Sequence, residues 1–294
     1  MASSNDRVVG AARRLVPPGL KRRFGEWARD HPLAYRWKVR ILSRRCDVFL
    51  ISFPKCGRTW LRMMLGHALL IRFGFPERRL MLATKAAIDR PGMPRILATH
   101  DDDPQVKRAG RVFTDKGAYR DRKVIFLVRD PRDLLVSYYF HRSKRTTGEF
   151  RFEGDLDDFL SADAGIVESL VAFYNAWARQ REVPMGFLLV RYEDLHADPA
   201  GQLRRVLDFI GVVGVDDDAI LRAVDLSSFE RMQEIERTGA RRGRSLRPGD
   251  PADPDSFKVR EGRVGGHRDA LTEAQRVDLD RRLLALDPLY ASYR

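Results

Sequence analysis

The chain has 294 residues, 44% hydrophobic and 32% charged, which is typical of a globular protein with a sizeable buried core. It contains no apolar run of the roughly 18 residues that a membrane span needs, and residues 1–10 lack the apolar core of a secretory signal. With only two cysteines there is no disulfide framework, so we expect a cytoplasmic location. A net charge of +13 favours an anionic partner, which could be nucleic acid, acidic lipid or a multiply phosphorylated small molecule.

The first part of the chain, residues 1–45, is predicted to be a basic arm that precedes one domain over residues 46–294. Arg and Lys residues are interleaved there with aromatic side chains, and short amphipathic helices are expected near residues 24–28 and 34–41. The favoured interpretation is a helix that packs on the domain with its basic face in water. Peripheral contact with a membrane surface or with an acidic partner remains an alternative.

Four short apolar runs alternate with helical patterns along the rest of the chain. The runs predict strands at 47–53, 95–99, 123–128 and 186–190. Helices are predicted at 60–73, 133–141, 156–181, 199–210, 217–224, briefly after 227, and at 272–286. This alternation favours a single doubly wound α/β domain with a central parallel sheet, whose ligands bind beyond the carboxyl ends of the strands. Residues 238–268 lack apolar periodicity and are expected to form a flap over a bound anion.

The turn after the first strand has the features of a phosphate-binding loop. Lys55, Gly57, Arg58 and Thr59 lie between a buried strand and the first turn of a helix, whose free N–H groups attract anions. The Gly-Lys-Ser/Thr ending of a Walker A sequence is absent. The loop is therefore P-loop-like but does not favour metal-dependent nucleotide chemistry, and a nucleotide or small-molecule kinase is the weaker alternative.

The run Phe-Pro-Lys-Cys-Gly-Arg-Thr-Trp-Leu at 53–61 resembles the 5′-phosphosulfate loop of the sulfotransferases that use 3′-phosphoadenosine 5′-phosphosulfate (PAPS). The matching residues are Lys55, Gly57, Thr59 and Trp60, whereas Cys56 and Arg58 depart from the usual pattern. The resemblance implies that Lys55 contacts the 5′-phosphate side of the sulfuryl bridge. It also implies that Trp60 stacks on the adenine.

A second motif follows the third predicted strand. Arg129 offers a planar fork suited to phosphate, and the hydroxyl of Ser137 lies two helical turns further on. The run Leu-Val-Arg-Asp-Pro-Arg-Asp-Leu-Leu-Val-Ser-Tyr-Tyr resembles the family's 3′-phosphate motif over its full length. Two motifs in the right order are much more specific than either one alone.

His100 ends the second predicted strand and is the candidate general base, because an imidazole is well suited to take a proton from a hydroxyl. It resembles the His of the family's Lys-x-His pattern, although Ala98 replaces the Lys. Asp101, Asp102 and Asp103 follow directly. They are expected to raise the pKa of His100 or to meet a cationic acceptor, or, for Asp102 and Asp103 especially, to form a solvated acidic turn.

Three further segments resemble family segments that line the nucleotide. The implied cofactor-binding residues are Tyr192, Ser227, Phe229, Arg260, Glu261 and Gly262. Arg260 is implied to bind the 3′-phosphate and Gly262 to offer its N–H. Glu261, Gly266 and His267 depart from the family pattern, which has Lys, Asp and Trp there.

The resemblance implies in-line transfer of a sulfuryl group from PAPS to an acceptor hydroxyl, with release of 3′-phosphoadenosine 5′-phosphate (PAP). Lys55 and His100 are the implied catalytic residues, and no metal is required. The acceptor is a small molecule or a glycan or lipid, bound by loops expected at 74–94, 142–156 and 238–256. A non-catalytic binder of acidic partners is the other alternative, but no motif for specific nucleic-acid recognition is present.

Overall fold

A computed structural model describes residues 31–81, 83–162, 165–239 and 246–294. Within these residues, four strands form a wholly parallel sheet in the order β2–β1–β3–β4. The strands are β1 (Val48–Ser52), β2 (Ile96–Thr99), β3 (Lys123–Val128) and β4 (Gly186–Arg191). All four strand predictions are confirmed, since apolar runs of this length are buried on both faces of a parallel sheet.

The helices cover both faces of this sheet, as a doubly wound domain requires. They are α1 (Pro32–Ser43), α2 (Arg58–Phe73), α3 (Ala83–Ala86), α4 (Pro131–Phe140), α5 (Leu156–Ser161), α6 (Ile166–Arg179), α7 (Tyr192–Ala197), α8 (Pro199–Ile210), α9 (Asp217–Asp225), α10 (Phe229–Thr238), α11 (His267–Ala270) and α12 (Glu273–Leu283). The last helix begins with a capping box, in which the side chains of Thr272 and Gln275 each bond the other residue's backbone N–H. The fold class is confirmed.

One helix prediction is wrong, because the single helix expected over 156–181 is divided into α5 and α6. The backbone at Ala162 is extended, and Gly165 caps α6 with a left-handed φ of 62°. The apolar pattern continues across the break because both helices bury one face against the same core. Periodicity alone therefore does not reveal that the chain changes direction.

The central strands are held rigidly by aromatic packing. Phe126 of β3 stacks on Trp177 of α6 at a ring-centroid distance of 5.5 Å, and Trp177 also stacks on Phe187 of β4. Register aligns Val48, Ile96, Lys123 and Gly186, so the strands' carboxyl ends lie at one edge of the sheet. The loops that leave this edge carry the candidate site.

Helix α1 is the described part of the basic arm, and residues 1–30, with the helix expected at 24–28, lie outside the described residues. The helix buries Tyr35 and Val39, whereas Leu33, Trp37 and Ile41 are exposed, Trp37 by 68%. Tyr35 faces inward, and its hydroxyl donates to a buried carboxylate, that of Asp101. None of the helices that the structure describes combines the length and apolarity needed to cross a membrane.

Candidate active site

A cleft of about 270 Å³ opens at the carboxyl edge of the sheet. It is lined by side chains from the loops after β1, β2, β3 and β4, from α10 and from residues 258–267. The predicted site residues that line it are Lys55, Gly57, Arg58, Thr59, Trp60, His100, Arg129, Ser137, Tyr192, Phe229, Arg260, Glu261 and Gly262. The fold thus brings together side chains separated by up to two hundred residues in the chain.

The β1–α2 loop approaches its neighbours very closely. Gly57 has a left-handed φ of 87°, and a Cβ there would lie 2.5 Å from the Tyr192 ring. Lys55 also has a positive φ, 72°, which is uncommon for a residue other than glycine. Arg58, Thr59 and Trp60 line the cleft, so the first turn of α2, a helix of 16 residues, lies beside it.

Two predicted residues do not line the cleft. Cys56 is buried beneath the loop, with its Sγ 3.5 Å from the Tyr174 hydroxyl, and burial raises the pKa of its thiol to about 12. Ser227 is also fully buried, and its hydroxyl has no hydrogen-bond partner among the residues that the structure describes. Its expected part in nucleotide binding stays a prediction. The adjacent Ser228 caps α10, so Phe229 is the side chain of this segment that reaches the cleft.

Lys55 lies in a strongly cationic environment. Its Nζ is 3.5 Å from the carbonyl oxygen of Lys258. Burial, and then the positive charges of Lys258, Arg145 and Arg129, lower the pKa of Lys55 well below its usual range. A bound anion would relieve this repulsion.

Arg129 lies next to the β1–α2 loop that carries Lys55. Its guanidinium stands 4.3 Å from the centre of the Tyr192 ring and donates to the carbonyl oxygens of Lys55 (3.4 Å) and Arg263 (3.0 Å). Its Nε is buried and has no partner in the part of the chain that the structure describes. Ser137 of α4 also lines the cleft.

His100 is held at both ring nitrogens, and its partners determine its tautomer. Nδ1 lies 2.7 Å from the carbonyl oxygen of Ser52, which can only accept, so Nδ1 carries the hydrogen. Nε2 lies 2.7 Å from Nη2 of Arg58, which can only donate, so Nε2 is unprotonated. Burial and then the charge of Arg58 lower the pKa of His100 to about 3. His100 is therefore a neutral imidazole, and the lone pair on its Nε2 accepts a hydrogen bond from Arg58.

The three aspartates after His100 do not act on it as expected. Asp101 and Asp102 are each 2% exposed, which contradicts the solvated acidic turn expected for Asp102. Asp101 accepts from Lys116 (2.6 Å), Tyr119 (2.5 Å), Trp177 (3.2 Å) and Tyr35. The carboxylates are buried because buried lysines neutralise them, Lys116 for Asp101 and Lys107 for Asp102. They do not raise the pKa of His100.

Asp102 and Asp103 complete this turn in different ways. Asp102 accepts from Lys107 (3.1 Å) and from the N–H of Phe113 (2.8 Å), and burial raises the pKa of its carboxyl group. Asp103 is partly exposed and pairs with Lys38 of α1 at 3.8 Å. Both residues anchor the segment that carries His100.

The segment 258–268 is fastened to the sheet edge by Asp133. This carboxylate accepts from the N–H groups of Gly265 (2.7 Å) and His267 (2.8 Å) and from Nδ1 of His267 (2.8 Å). Burial alone would raise the pKa of Asp133, but the bonds from His267 and the charge of Arg129 outweigh it and bring the pKa to about 2. His267, which departs from the family pattern, thus has a structural role, because it holds this segment to Asp133.

The same segment brings Arg260, Glu261 and Gly262 to the cleft. Arg260 lies 3.9 Å from the centre of the Phe140 ring and pairs with Glu261, whose other oxygen lies 2.9 Å from Nε of Arg263. Gly262 has a left-handed φ of 64°, and a Cβ there would lie 2.3 Å from the Phe229 ring. Only glycine fits this position without displacing the ring.

Five lining residues lie outside the motifs recognised in the sequence: His141, Arg145, His196, Lys258 and Val259. Burial, and then Arg145 and Arg58, lower the pKa of Lys258 to about 7. Lys258 lies close to Arg260 in sequence, and this proximity is the signal that could have identified it as a lining residue. His141, Arg145 and His196 reach the cleft only through the folding of distant loops.

These residues fit a ligand that carries several negative charges. Seven cationic side chains line the cleft, namely Lys55, Arg58, Arg129, Arg145, Lys258, Arg260 and Arg263. Nη1 of Arg58 and Nε of Arg129 are buried and have no partner among the described residues, so two donors are available to an anion. The aromatic rings of Trp60, Tyr192 and Phe229 line the same cleft and are suited to a base.

Comparison with known proteins identifies the family. A family model described as the sulfotransferase domain matches residues 45–284. The chain belongs to the sulfotransferase domain family. The family resemblance inferred from the motifs is therefore confirmed. The match includes the loops that carry Lys55, His100 and Arg129.

Curated sulfotransferases are similar to the chain at low identity. It is 27% identical to flavonol 3-sulfotransferase of Flaveria bidentis over 213 residues, which cover 65% of the chain and 66% of that protein. It is 26% identical to sulfotransferase 2B1 of Mus musculus over 206 residues, which cover 64% and 56% of the two chains. The aligned region thus spans about two thirds of the first relative and just over half of the second.

Solved structures share the fold. Mouse sulfotransferase SULT7A1 complexed with PAP has a TM-score of 0.57 at 17% identity, covering 84% of this chain and 86% of that one. Retinol dehydratase in a complex with retinol and PAP has a TM-score of 0.55 at 18% identity, covering 82% and 80%. At such identity these similarities establish the architecture.

Proposed function

We propose that this chain transfers the sulfuryl group of PAPS to an acceptor hydroxyl, with His100 as the general base. The observation that carries the proposal is the convergence of Lys55, Arg129 and His100 on one cleft at the carboxyl edge of the sheet. Family membership supplies the reaction class. A kinase or a non-catalytic binder would not need a second phosphate motif together with a base.

The two ends of the nucleotide would be held by different elements. Lys55 and the first N–H groups of α2 would bind the 5′-phosphosulfate, because both face the cleft and the lysine is repelled by its cationic neighbours. Arg129, Ser137 and Arg260 would bind the 3′-phosphate. Trp60, Tyr192 and Phe229 would enclose the adenine.

His100 is arranged to accept one proton on a defined atom. Because Nδ1–H is held by Ser52, the proton of the acceptor hydroxyl goes to Nε2 as the new oxygen–sulfur bond forms. Lys55 and the α2 amides stabilise the charge that develops on the leaving 5′-phosphate as the old oxygen–sulfur bond breaks. Arg58 must first leave Nε2, and an anion beside its partner-free Nη1 would draw it away.

The acceptor is proposed to be a small organic hydroxyl compound. A flavonol sulfotransferase is among the curated relatives, and the solved retinol dehydratase complex contains retinol. Glycan and lipid acceptors, peripheral membrane contact through the basic arm and the cytoplasmic location remain predictions. For the arm, the exposed Leu33, Trp37 and Ile41 on α1 support membrane contact.

Transfer of label from PAPS to a panel of phenols and alcohols, with ATP and Mg²⁺ in parallel, tests the reaction. We expect transfer from PAPS only. The variant His100→Ala should lower the rate about 10²–10⁴-fold while the affinity for PAP changes less than about threefold. Phosphoryl transfer from ATP, or a wild-type rate in the variant, would show that the proposal is wrong.

A further inference from the structure

Glu261 lies between two arginines at the wall of the nucleotide cleft. One of its carboxylate oxygens pairs with Nη1 of Arg260, and the other lies 2.9 Å from Nε of Arg263. Arg263 also pairs with Asp269 at 2.7 Å. Because Arg260, Glu261 and Arg263 all line the cleft, this carboxylate places a negative charge on a wall that is mostly cationic.

The backbone beside Glu261 leaves room for these ion pairs. A Cβ at residue 266 would lie 3.1 Å from Nε of Arg263 and 3.2 Å from Oε2 of Glu261, which is closer than an ordinary contact. Glu261 and Gly266 both depart from the family pattern, which has Lys and Asp at these two positions. The two departures therefore act together, since Glu261 supplies the carboxylate and Gly266 lacks the side chain that would crowd it.

Arg260 is held close to the elements that carry the second phosphate motif. Its guanidinium stands 3.9 Å from the centre of the Phe140 ring, and Phe140 follows Ser137 by three positions on α4. Side chains three positions apart are neighbours on a helix surface, so Arg260 packs beside the part of α4 that presents Ser137 to the cleft. Asp255 lies 3.4 Å from the same Nη1, so the guanidinium keeps an acidic neighbour when Glu261 loses its charge.

Glu261 and a phosphate would make the same kind of contact with Arg260. Carboxylate and phosphate oxygens both accept charge-assisted hydrogen bonds from the planar guanidinium. Donors paired with Glu261 are not available to a phosphate at the same time, and a phosphate beside Glu261 would be repelled by its charge. The Glu261 side chain is 36% exposed, so its carboxylate can be hydrated once it leaves Arg260.

We propose that Glu261 is a specificity-determining residue, which competes with the 3′-phosphate of the nucleotide for Arg260 and so limits the preference of the enzyme for 3′-phosphorylated nucleotides. The inference rests on the proposed function, because it takes Arg260 as a ligand of that phosphate. It also has a consequence for turnover. The competition weakens binding of the product PAP and therefore favours its release, a step that limits the rate of many enzymes.

The first test is calorimetric titration of the full-length wild type and of Glu261→Gln with PAP and with AMP, which lacks the 3′-phosphate. Glu261→Gln should bind PAP at least about fivefold more tightly, because it removes both the competing ion pair and the repulsion. Its affinity for AMP should stay within about threefold of the wild type. Glu273→Gln, which removes a carboxylate that pairs with Arg276, is the matched control and should leave both affinities unchanged.

A gain of affinity cannot come from misfolding, which would weaken the binding of both nucleotides. PAP affinity in Glu261→Gln that equals the wild-type value, or falls below it, would overturn the proposal. An equal gain for PAP and AMP would also contradict it, because AMP has no group that competes with Glu261 for Arg260.

The second test asks whether the gain depends on Arg260. In the Arg260→Met background, the change Glu261→Gln should alter PAP affinity less than about threefold, because the residue for which the two anions compete is absent. A gain of about fivefold or more in that background would show that Glu261 does not act through Arg260.

The same titrations distinguish failure of this inference from failure of the proposed function. If neither the wild type nor Glu261→Gln binds PAP more tightly than AMP, the proposed 3′-phosphate site is refuted together with the inference. If the wild type prefers PAP and Glu261→Gln shows the same preference, only the inference is refuted.

Discussion

Replacing Arg58 with Thr should raise the basicity of His100. The structure places Nη2 of Arg58 2.7 Å from Nε2 of His100, where a proton on that nitrogen would meet a positive charge. A hydrogen bond from a charged donor contributes about 1.5–3 kcal/mol, and about 1.4 kcal/mol corresponds to one pKa unit. Removing the donor should therefore raise the pKa of His100 from about 3 by roughly 1–2 units.

Burial should keep the pKa of His100 in this variant below 6.5, the usual value for histidine, because burial is the larger cause of its depression. The assay is a pH titration of the histidine Cε1–H resonances, with His100 assigned from a His100→Gln variant. Arg72→Thr, an exposed arginine on the same helix, is the matched control. A pKa of His100 that is unchanged by Arg58→Thr, or near 6.5 in the wild type, would refute the reasoning.

Three further predictions concern stability and surface binding. Asp101→Asn leaves the fully buried Lys116 charge uncompensated, so urea unfolding should show a loss of about 3–5 kcal/mol, and a loss below about 1 kcal/mol would contradict it. His100 and His141 have pKa values near 3 when folded and about 6.5 when unfolded, so their contribution to stability is present above pH 6.5 and lost as the pH falls. Between pH 6 and 5 the free energy of unfolding should fall by up to about 1.4 kcal/mol per histidine, and less in the corresponding Gln variants. If α1 contacts membranes, Trp37→Glu should weaken co-sedimentation with phosphatidylserine vesicles, and absence of wild-type binding would reject that idea.

The sheet and the two phosphate motifs could be predicted because their signals are local. A run such as Val48–Ser52 is buried on both faces, and the glycine and cations of the following loop are adjacent in sequence. The carboxyl ends of parallel strands meet at one edge, so Lys55 and Arg129 were expected near each other. Local patterns did not reveal the break before Gly165, because helix periodicity continues on both sides of it.

The electrostatic state of the site depends on contacts between distant segments. The sequence predicts that Asp102 is exposed to solvent. In the structure it is buried against Lys107, in a turn that also packs near Phe113. The low pKa of His100 depends on burial and on Arg58, 42 positions away in the chain. His141 is positioned by a π-turn, for which the sequence has no comparable signal.

Part of the segment 238–268, which is predicted to form a flap, lies outside the described residues, including Arg241, Arg242 and Arg244. The described part, 246–268, is fastened by two buried carboxylates, since Glu236 accepts from the N–H groups of Lys258 (2.7 Å) and Val259 (3.0 Å) and Asp133 holds Gly265 and His267. Leu246 is also 3% exposed and packs with Met232. Whether bound nucleotide changes the order of this segment stays a prediction, which hydrogen exchange with and without PAP can test.

The central claim is that Lys55 and Arg129 bind opposite ends of one nucleotide. Calorimetric titration of the wild type, Lys55→Ala and Arg129→Ala with PAP and with AMP, which lacks the 3′-phosphate, tests it most directly. We predict that Arg129→Ala weakens PAP binding about ten- to hundredfold but AMP binding much less, whereas Lys55→Ala weakens both. Near wild-type affinity for PAP in both variants, or equal affinity of the wild type for PAP and AMP, would contradict the account.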